Sequence, residues 1–496
     1  MAGLALLPFI AFVVLLVGLR RSAAEAGFWS AAGGLAIAVL AFDYPTNSLA
    51  LAGPALEAVF TSATILWIIF PALCIYEYQQ RMGATAEIGR WLASVSPKPQ
   101  IHALLLAWFF ALFLEGAAGF GTPIALVAPM LVGLGFTPLR ALVLALFGHA
   151  AGVSFGAVGT PIVPLVETMA ADPRTLSLLI MLLHGAIGWM LTMLVFRLAR
   201  PDDPAMRASW LAPVGAALLF LAPAAVFAWA AGPELPTLGG ALIGAVLFVL
   251  VVRRRRMAPA GSIPAGTLAI AAMPYLAVLV LILATRLIPS IAGILQEATL
   301  EWTLGRNFGG SLAPLYHPGR LLMLSLLIPA YANATGRSML NVTFVAAARR
   351  LPPVALALVS VLLLARFMVH SGMIEALALA AAELLGSAWP LASPLTGALG
   401  SFVTGSATTS NIVLAEFQVS AASAGNVAPL LALAGQGFGV AIGNIVAPHN
   451  IVAGAATVGL IGREGEVLKQ TLPVCVLYAV AGGALLLALS ALLPMF

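Results

Sequence analysis

Apolar residues fill the chain in runs of about 20, the length that carries a helix across the hydrocarbon core of a bilayer, and short polar stretches separate them. Residues 101–113, which continue into a glycine-rich stretch, and residues 472–493 are two such runs. This spacing predicts roughly 12 to 14 crossings. A spanning segment in lipid has no water to satisfy its backbone, so these runs read as helices and the fold as an all-α polytopic membrane protein. The first run begins at Gly3 with no basic residue before it. It lacks the charged start of a secretory signal and reads as a membrane helix. The longest polar connections, residues 81–100 and 289–318, leave no room for a soluble domain, and the second reads as an ordinary loop rather than an interfacial helix.

Two apolar runs are interrupted in related ways. Gly152-Val153-Ser154-Phe155-Gly156, followed by Pro161, is echoed 287 positions later by Gly439-Val440-Ala441-Ile442-Gly443, followed by Pro448. A glycine- and hydroxyl-rich break precedes each copy: Glu115 to Pro123 with Gly119 and Gly121, and Thr404 to Asn411 with Gly405. Glycine within a helix costs on the order of 1 kcal/mol relative to alanine and proline about 3, so such clusters unwind it. In lipid the freed backbone is tolerated only against protein or a water-filled cavity. The expected architecture is therefore a single transmembrane domain, residues 1–496, with two internally related halves containing broken or re-entrant helices. Their cores lie near residues 101–200 and 388–495. Paired interruptions of this kind mark a transporter's binding site. The alternative is that the glycines only let helices pack closely.

Composition agrees: 62% of the 496 residues are apolar, 8% are charged, and mean hydropathy is +1.07. The 23 Lys and Arg exceed the 18 Asp and Glu, but they lie between the apolar runs. They therefore read as topology rather than as a nucleic-acid surface. Arg20 and Arg21, Arg81, Arg90 and Lys98, Arg197 to Arg207, Arg253 to Arg256, and Arg337, Arg349 and Arg350 mark cytoplasmic loops by the positive-inside rule. The loops at Asp43 and Glu234 carry no Lys or Arg. Cys74 and Cys475 lie in or beside apolar runs and suggest no disulfide.

Half-helix amino termini offer donors and positive potential to a carboxylate. Thr122, Thr404, Ser406, Thr408, Thr409, Ser410 and Asn411 can donate to such a cargo, or bond back to their own helices. Glu115, deep in an apolar run, is a candidate proton carrier or one half of a structural ion pair. Arg366 is the only Lys or Arg in residues 356–369, with His370, a candidate proton-coupling group, on the same face. It is a candidate for carboxylate capture or for pairing with Glu115, or it snorkels from a helix end. His149 and His449 flank the echoed segments as candidate proton relays or as structural histidines. Asn444 and Asn450 suit either cargo contact or helix gluing. No Walker sequence, Cys/His metal spacing or nucleophile motif is present, which argues against a pump or an enzyme and for a secondary transporter without cofactors.

At these residues the chain resembles the L-lactate permease family. The resemblance runs through Glu115 to Pro123, Leu131 to Phe136, Phe155 to Gly159, Gly232-Pro233-Glu234-Leu235-Pro236, Thr404 to Asn411, and Ala455 to Glu464. It implies proton symport of lactate, glycolate and related 2-hydroxymonocarboxylates through the cytoplasmic membrane of a prokaryote. The partners it implies are a small carboxylate, protons and the lipid bilayer. Family binding features carry over onto Glu115, Gly119, Gly121 and Thr122, and onto Thr404 to Asn411. Members often have an aspartate where this chain has Ala407, an asparagine in place of His149, and Pro-Gln where it has Pro448-His449. One acidic group is thus absent and two histidines are new. A sodium-coupled carrier of another organic acid is the nearest alternative, with Asn444 and broken-helix carbonyls as cation ligands.

Overall fold

The computed structural model describes the chain apart from residues 20, 120, 255–264, 306–307, 333, 462 and 493–496, and gives the backbone alone at 17, 254, 265–272 and 449. Of the residues singled out above, Arg20, Arg255, Arg256 and the His449 side chain therefore lie outside the described residues. Among those described, 10 helices are long and apolar enough to span a membrane, or up to 12 if each of two bent pairs counts as one crossing. The expected 12 to 14 is reached at its lower end only with the bent pairs counted, because several apolar runs are broken helices rather than single long spans. The 289–318 connection is not an irregular loop. It holds a helix, Pro289–Gln296, and an antiparallel pair of strands, β1 (Leu300–Leu304) and β2 (Phe308–Leu312).

Both predicted breaks are present. The Pro99–Ala117 stretch, whose middle (Leu104–Phe110) winds as a π-helix, stops at Ala118. The chain reverses through Gly119 (φ 60°) and Gly121 (φ 75°) into the Thr122–Gly133 helix, which packs back against Leu104–Phe110. Only glycine takes these left-handed angles without strain, so the two glycines set the reversal. In the second half the Trp389–Thr404 helix ends at Gly405 (φ 72°), and Ala407–Ala424 folds back along it. Its start is capped by Ser406, whose Oγ accepts from the Thr409 N–H at 3.2 Å.

The echoed segments are the second broken element of each half. Pro138–His149 tightens into two short 3-10 pieces, Ala150–Phe155 and Thr160–Ile162, before Val163–Met169. Between those pieces Ala157 (φ 42°), Val158 (φ 55°) and Gly159 (φ 80°) are all left-handed. For the non-glycine pair this costs roughly 1–2 kcal/mol each. The counterpart, Pro429–Gly443, runs through Asn444–Val446, turns extended at Ala447, and restarts as Pro448–Val458. The halves interlock: Pro448–Val458 packs on Thr122–Gly133, and the 160–169 segment packs on Ala407–Ala424. A buried chain reinforces this. Ser154 Oγ donates to the Gly437 carbonyl at 2.7 Å, so it accepts from His184 Nε2 (2.8 Å), leaving His184 Nδ1 to accept from Tyr478 (2.8 Å). His184 is thereby a fully bonded structural residue.

Outside this core, the Ser48–Arg81 and Ala334–His370 helices pair antiparallel with an ion cluster at each end. Glu77 holds Arg81 (3.2 Å) and Arg350 (2.7 Å), and Glu57 holds His370 (2.9 Å). The two glutamates are twenty residues apart on one helix, and Arg350 and His370 twenty apart on the other. That is a rise of about 30 Å, the thickness of the hydrocarbon core. The Arg350 end, with Arg81 and Arg349 beside it, is the cytoplasmic one by the positive-inside rule.

Helix contact in the core is close enough to forbid side chains. A Cβ on Gly148 would collide with the backbone carbonyl of Ala107, whereas one on Gly33 meets nothing within 4 Å. Gly148→Ala is expected to destabilise the protein by about 1–3 kcal/mol, read as a lower unfolding midpoint in detergent. Gly33→Ala should leave that midpoint unchanged or slightly raised.

Candidate functional site

The four interruptions converge on one cavity of about 370 Å³. Its wall includes Glu115, Gly119 and Gly121 from the first break, and Thr404 to Thr409 from the second. The broken elements add Val153, Gly156, Ala157, Thr160 and Pro161 on one side and Asn444 and Asn450 on the other. Ala23, Ile69, Pro353 and Leu358 close it against the outer helices. Pro353 is exposed and stands three residues from Arg350, so this side of the cavity leads toward the arginine-rich end.

The electrostatics come from helix ends. Thr122–Gly133, Ala407–Ala424 and Pro448–Val458 each begin at the cavity wall, next to Gly121, Ser406 and Asn450 respectively. Their first N–H groups have no intrahelical acceptor and carry partial positive charge. Among the described side chains lining the cavity, Glu115 is the single ionisable group. It is 5% exposed, and no described side chain bonds to it. Its Oε1 lies over the Cα of Gly156, where any side chain would displace it. Ala407 is 5% exposed and forms a small apolar cluster with Val153, Val440 and Ala441.

The expected donors separate into two groups. Several are spent on the breaks themselves. Thr122 Oγ1 donates to the Gly119 carbonyl (2.7 Å), and Thr404 Oγ1 bonds to the carbonyls of Gly400 (2.8 Å) and Ser406 (3.0 Å). Asn411 Nδ2 reaches across to Pro161 O (2.7 Å), and Ser410 Oγ to Gly397 O (3.3 Å). Ser410 and Asn411 are fully buried behind the cavity rather than in it. The others face the cavity: Thr408 and Thr409 make no side-chain bond among the described residues, and Ser406 accepts one but keeps its own proton free.

His149 is fully buried, with Nδ1 2.8 Å from Ala145 O and Nε2 3.4 Å from Asn444 Oδ1, so it touches the cavity only through Asn444. Asn450 Nδ2 bonds to the same oxygen at 2.8 Å and to Asn444 O at 3.0 Å. Arg366 and His370 do not join this cavity, and Arg366 does not pair with Glu115. Both stand beside Glu57, with Arg366 Nε 3.7 Å and His370 Nε2 2.9 Å from Glu57 Oε2. Helix spacing alone places Arg366 and His370 together but leaves open which carboxylate they meet.

The sequence reading passed over two groups. A buried chain runs from Trp389 Nε1 to Gln418 Oε1 (2.9 Å), from Gln418 Nε2 to Gln436 Oε1 (2.8 Å), and from Gln436 Nε2 to Ser410 and Asn411 (3.2 Å each). It fixes the Asn411 amide that holds Pro161. The seven-residue spacing of Asn411 and Gln418, one helix face, was the available signal. Glu57, Glu167 and Glu416 were also missed, although each interrupts an apolar run just as Glu115 does.

The chain matches the L-lactate permease family over residues 2–493. It is 27% identical to the putative L-lactate permease of Haemophilus influenzae, covering 98% of both chains. It is 28% identical to the L-lactate permease of Escherichia coli K12 (94% of this chain, 92% of the relative) and 27% identical to the glycolate permease GlcA of the same strain (96% and 93%). Among solved structures, the Alcanivorax borkumensis YdaH transporter shares the fold, with a TM-score of 0.53 at 13% identity over 94% of this chain and 98% of that one. The breaks, the paired broken helices and the family match agree, and this multi-pass membrane protein belongs to the L-lactate permease family.

Proposed function

We propose that the chain imports L-lactate, glycolate or a related 2-hydroxymonocarboxylate by proton symport across the cytoplasmic membrane of a bacterium. The observation that carries this reading is a cavity of about 370 Å³ in which one carboxyl group, Glu115, faces hydroxyls and helix amino termini with no cationic side chain among the described lining residues. The volume suits an acid of a few carbon atoms with some water. The cargo carboxylate docks on the N–H groups at Ala407 and Thr408 and on the hydroxyls of Ser406, Thr408 and Thr409. Asn444 and Asn450 are placed to meet its 2-hydroxyl. An anionic Glu115 repels an anionic cargo across so small a space, whereas a protonated one donates to it. Proton and acid therefore enter as a neutral pair. The names of the lactate and glycolate relatives support the same cargo class.

The sodium-coupled alternative would use Asn444 and the freed carbonyls as ligands. Against it, the Asn444 side-chain oxygen already accepts from Asn450 at 2.8 Å. Transport separates the two. Labelled L-lactate should accumulate in proteoliposomes under an inward proton gradient, with glycolate competing, and should not respond to a sodium gradient. Sodium-dependent, pH-independent uptake would reverse the assignment, and absence of counterflow would indicate a channel.

Two variants test the roles. Glu115→Gln keeps the shape but cannot exchange a proton. Lactate counterflow should survive while gradient-driven accumulation is lost, and a variant that still accumulates lactate would remove Glu115 from the coupling route. Thr408→Ala removes one hydrogen bond to a charged cargo, worth about 1.5 kcal/mol, and should raise KM for lactate about tenfold with little change in maximal rate. An unchanged KM would place the cargo elsewhere in the cavity.

A further inference from the structure

A second, much smaller pocket of about 20 Å³ lies beyond the cavity, walled by four elements that also line it. The Ser48–Arg81 helix lends Ile69 to the cavity and Thr61 to the pocket, and the 160–169 segment lends Pro161 and then Pro164. Ala334–His370 lends Leu358 and then Leu362, and Ala407–Ala424 lends Thr409 and then Ile412. A single buried layer, with Leu362 at 3% and Ile412 at 6% exposure, separates the two spaces. The pocket lies on the Glu57 side of that layer, away from Arg350, and so toward the outside.

Beyond the layer each of the four elements carries charge at or beside the pocket. Glu167 comes from Val163–Met169, Glu416 from Ala407–Ala424, Arg366 and His370 from Ala334–His370, and Glu57 from Ser48–Arg81. The β-hairpin covers His370 and Glu57: Phe308 sets its ring edge-on to His370 at 4.9 Å, and the Gly309 N–H donates to Glu57 Oε1 at 3.4 Å. Arg306 lies outside the described residues. Of these groups Glu167, Arg366 and Glu416 line the pocket, and Glu57 and His370 stand beside Arg366.

Arg366 is loosely held. Its single ion-pair distance is 3.7 Å, beyond hydrogen bonding, and its buried Nε has no acceptor. Arg286 is the contrast: it grips Glu234 at 2.6 and 3.1 Å and stacks on Tyr316 at 3.7 Å. A permanent strut resembles Arg286, and a contact that has to open resembles Arg366. Three carboxylates also outnumber the guanidinium and imidazole here, so the mouth repels an anionic cargo until it takes up a proton.

We propose that Glu167, Arg366 and Glu416 form an ionic outer gate. Arg366 draws together carboxylates from neighbouring helices to close the mouth, and a proton arriving from outside neutralises one of them and releases it before the acid enters. The proton step rests on the symport reading, whereas the gate itself does not.

The test is external labelling of Leu362→Cys with a membrane-impermeant maleimide, in a chain whose Cys74 and Cys475 are replaced by Ala. Rates are normalised to Ala298→Cys on the exposed outer connection, which corrects for thiol ionisation. Adding Arg366→Gln should raise the normalised rate about tenfold, the shift expected from losing a contact worth about 1.4 kcal/mol. Glu416→Gln, which keeps the arginine, should raise it as well and should blunt its increase in external acid. Unchanged labelling in both variants, with lactate-independent unfolding midpoints showing folded protein, would overturn the gate. A rate that rises in both variants but ignores external pH in the parent would overturn the proton step alone. Lactate uptake is not part of the readout, so a wrong cargo assignment leaves this result intact and shows instead in the transport assay.

Discussion

Every functional feature of this chain depends on one constraint: a backbone carbonyl freed from a helix inside the membrane has to find a donor, because no lipid will supply one. The breaks meet it one by one. Thr122 covers Gly119, Thr160 covers Ala157, Thr237 covers Gly152, Ser154 covers Gly437, Asn411 covers Pro161, and Asn450 covers Asn444. Three of these bonds are local. The others cross between elements, and those of Ser154 and Asn411 cross between the halves of the chain. Two of the polar side chains that allow the helices to break, Ser154 and Asn411, thus also fasten the halves together, and the cavity is the space left where the helix amino termini meet.

This explains which parts were legible in the sequence. Helical class, membrane embedding and the two break points follow from composition and from Gly119, Gly121 and Gly405, since apolar length and left-handed angles are local properties. The convergence of the breaks was suggested by their common offset. What each hydroxyl does was not legible, because Thr122 and Thr408 look alike in a string of letters. One is spent on Gly119 and the other faces the cavity, a difference set by which way the helix turns after the break. The fate of Arg366 was hidden for a similar reason: its partner Glu57 lies 309 positions earlier, on a helix whose pairing no local pattern encodes. The 300–312 hairpin was hidden because its strands, Leu-Glu-Trp-Thr-Leu and Phe-Gly-Gly-Ser-Leu, are short and the second is glycine-rich.

The cavity's chemistry is sparse, and that bears on selectivity. In the proposed binding mode helix amino termini rather than an arginine hold the carboxylate, so the binding charge is fixed to the backbone and needs no rearrangement when the cargo leaves. Ala157 of the strained pair Ala157 and Val158 sits in the same wall, next to the Gly156 over which Glu115 lies. Backbone strain of this kind gathers at sites where surrounding structure over-determines the chain, here through Asn411, Thr160 and the close approach of Gly159 to Pro233.

The two ion clusters on the Ser48–Arg81 and Ala334–His370 pair make the protein a ruler. Glu57 with His370 and Glu77 with Arg350 sit twenty residues apart on both helices. A bilayer thicker than about 30 Å has to draw one cluster into hydrocarbon or tilt the pair less, and a thinner one leaves apolar side chains in water or tilts it more, each at fractions of a kcal/mol per Å. Because the Glu57 cluster stands beside Arg366 of the proposed outer gate, membrane thickness would press directly on the charges there, and the lipid composition around the protein would become a term in how readily its pathway opens.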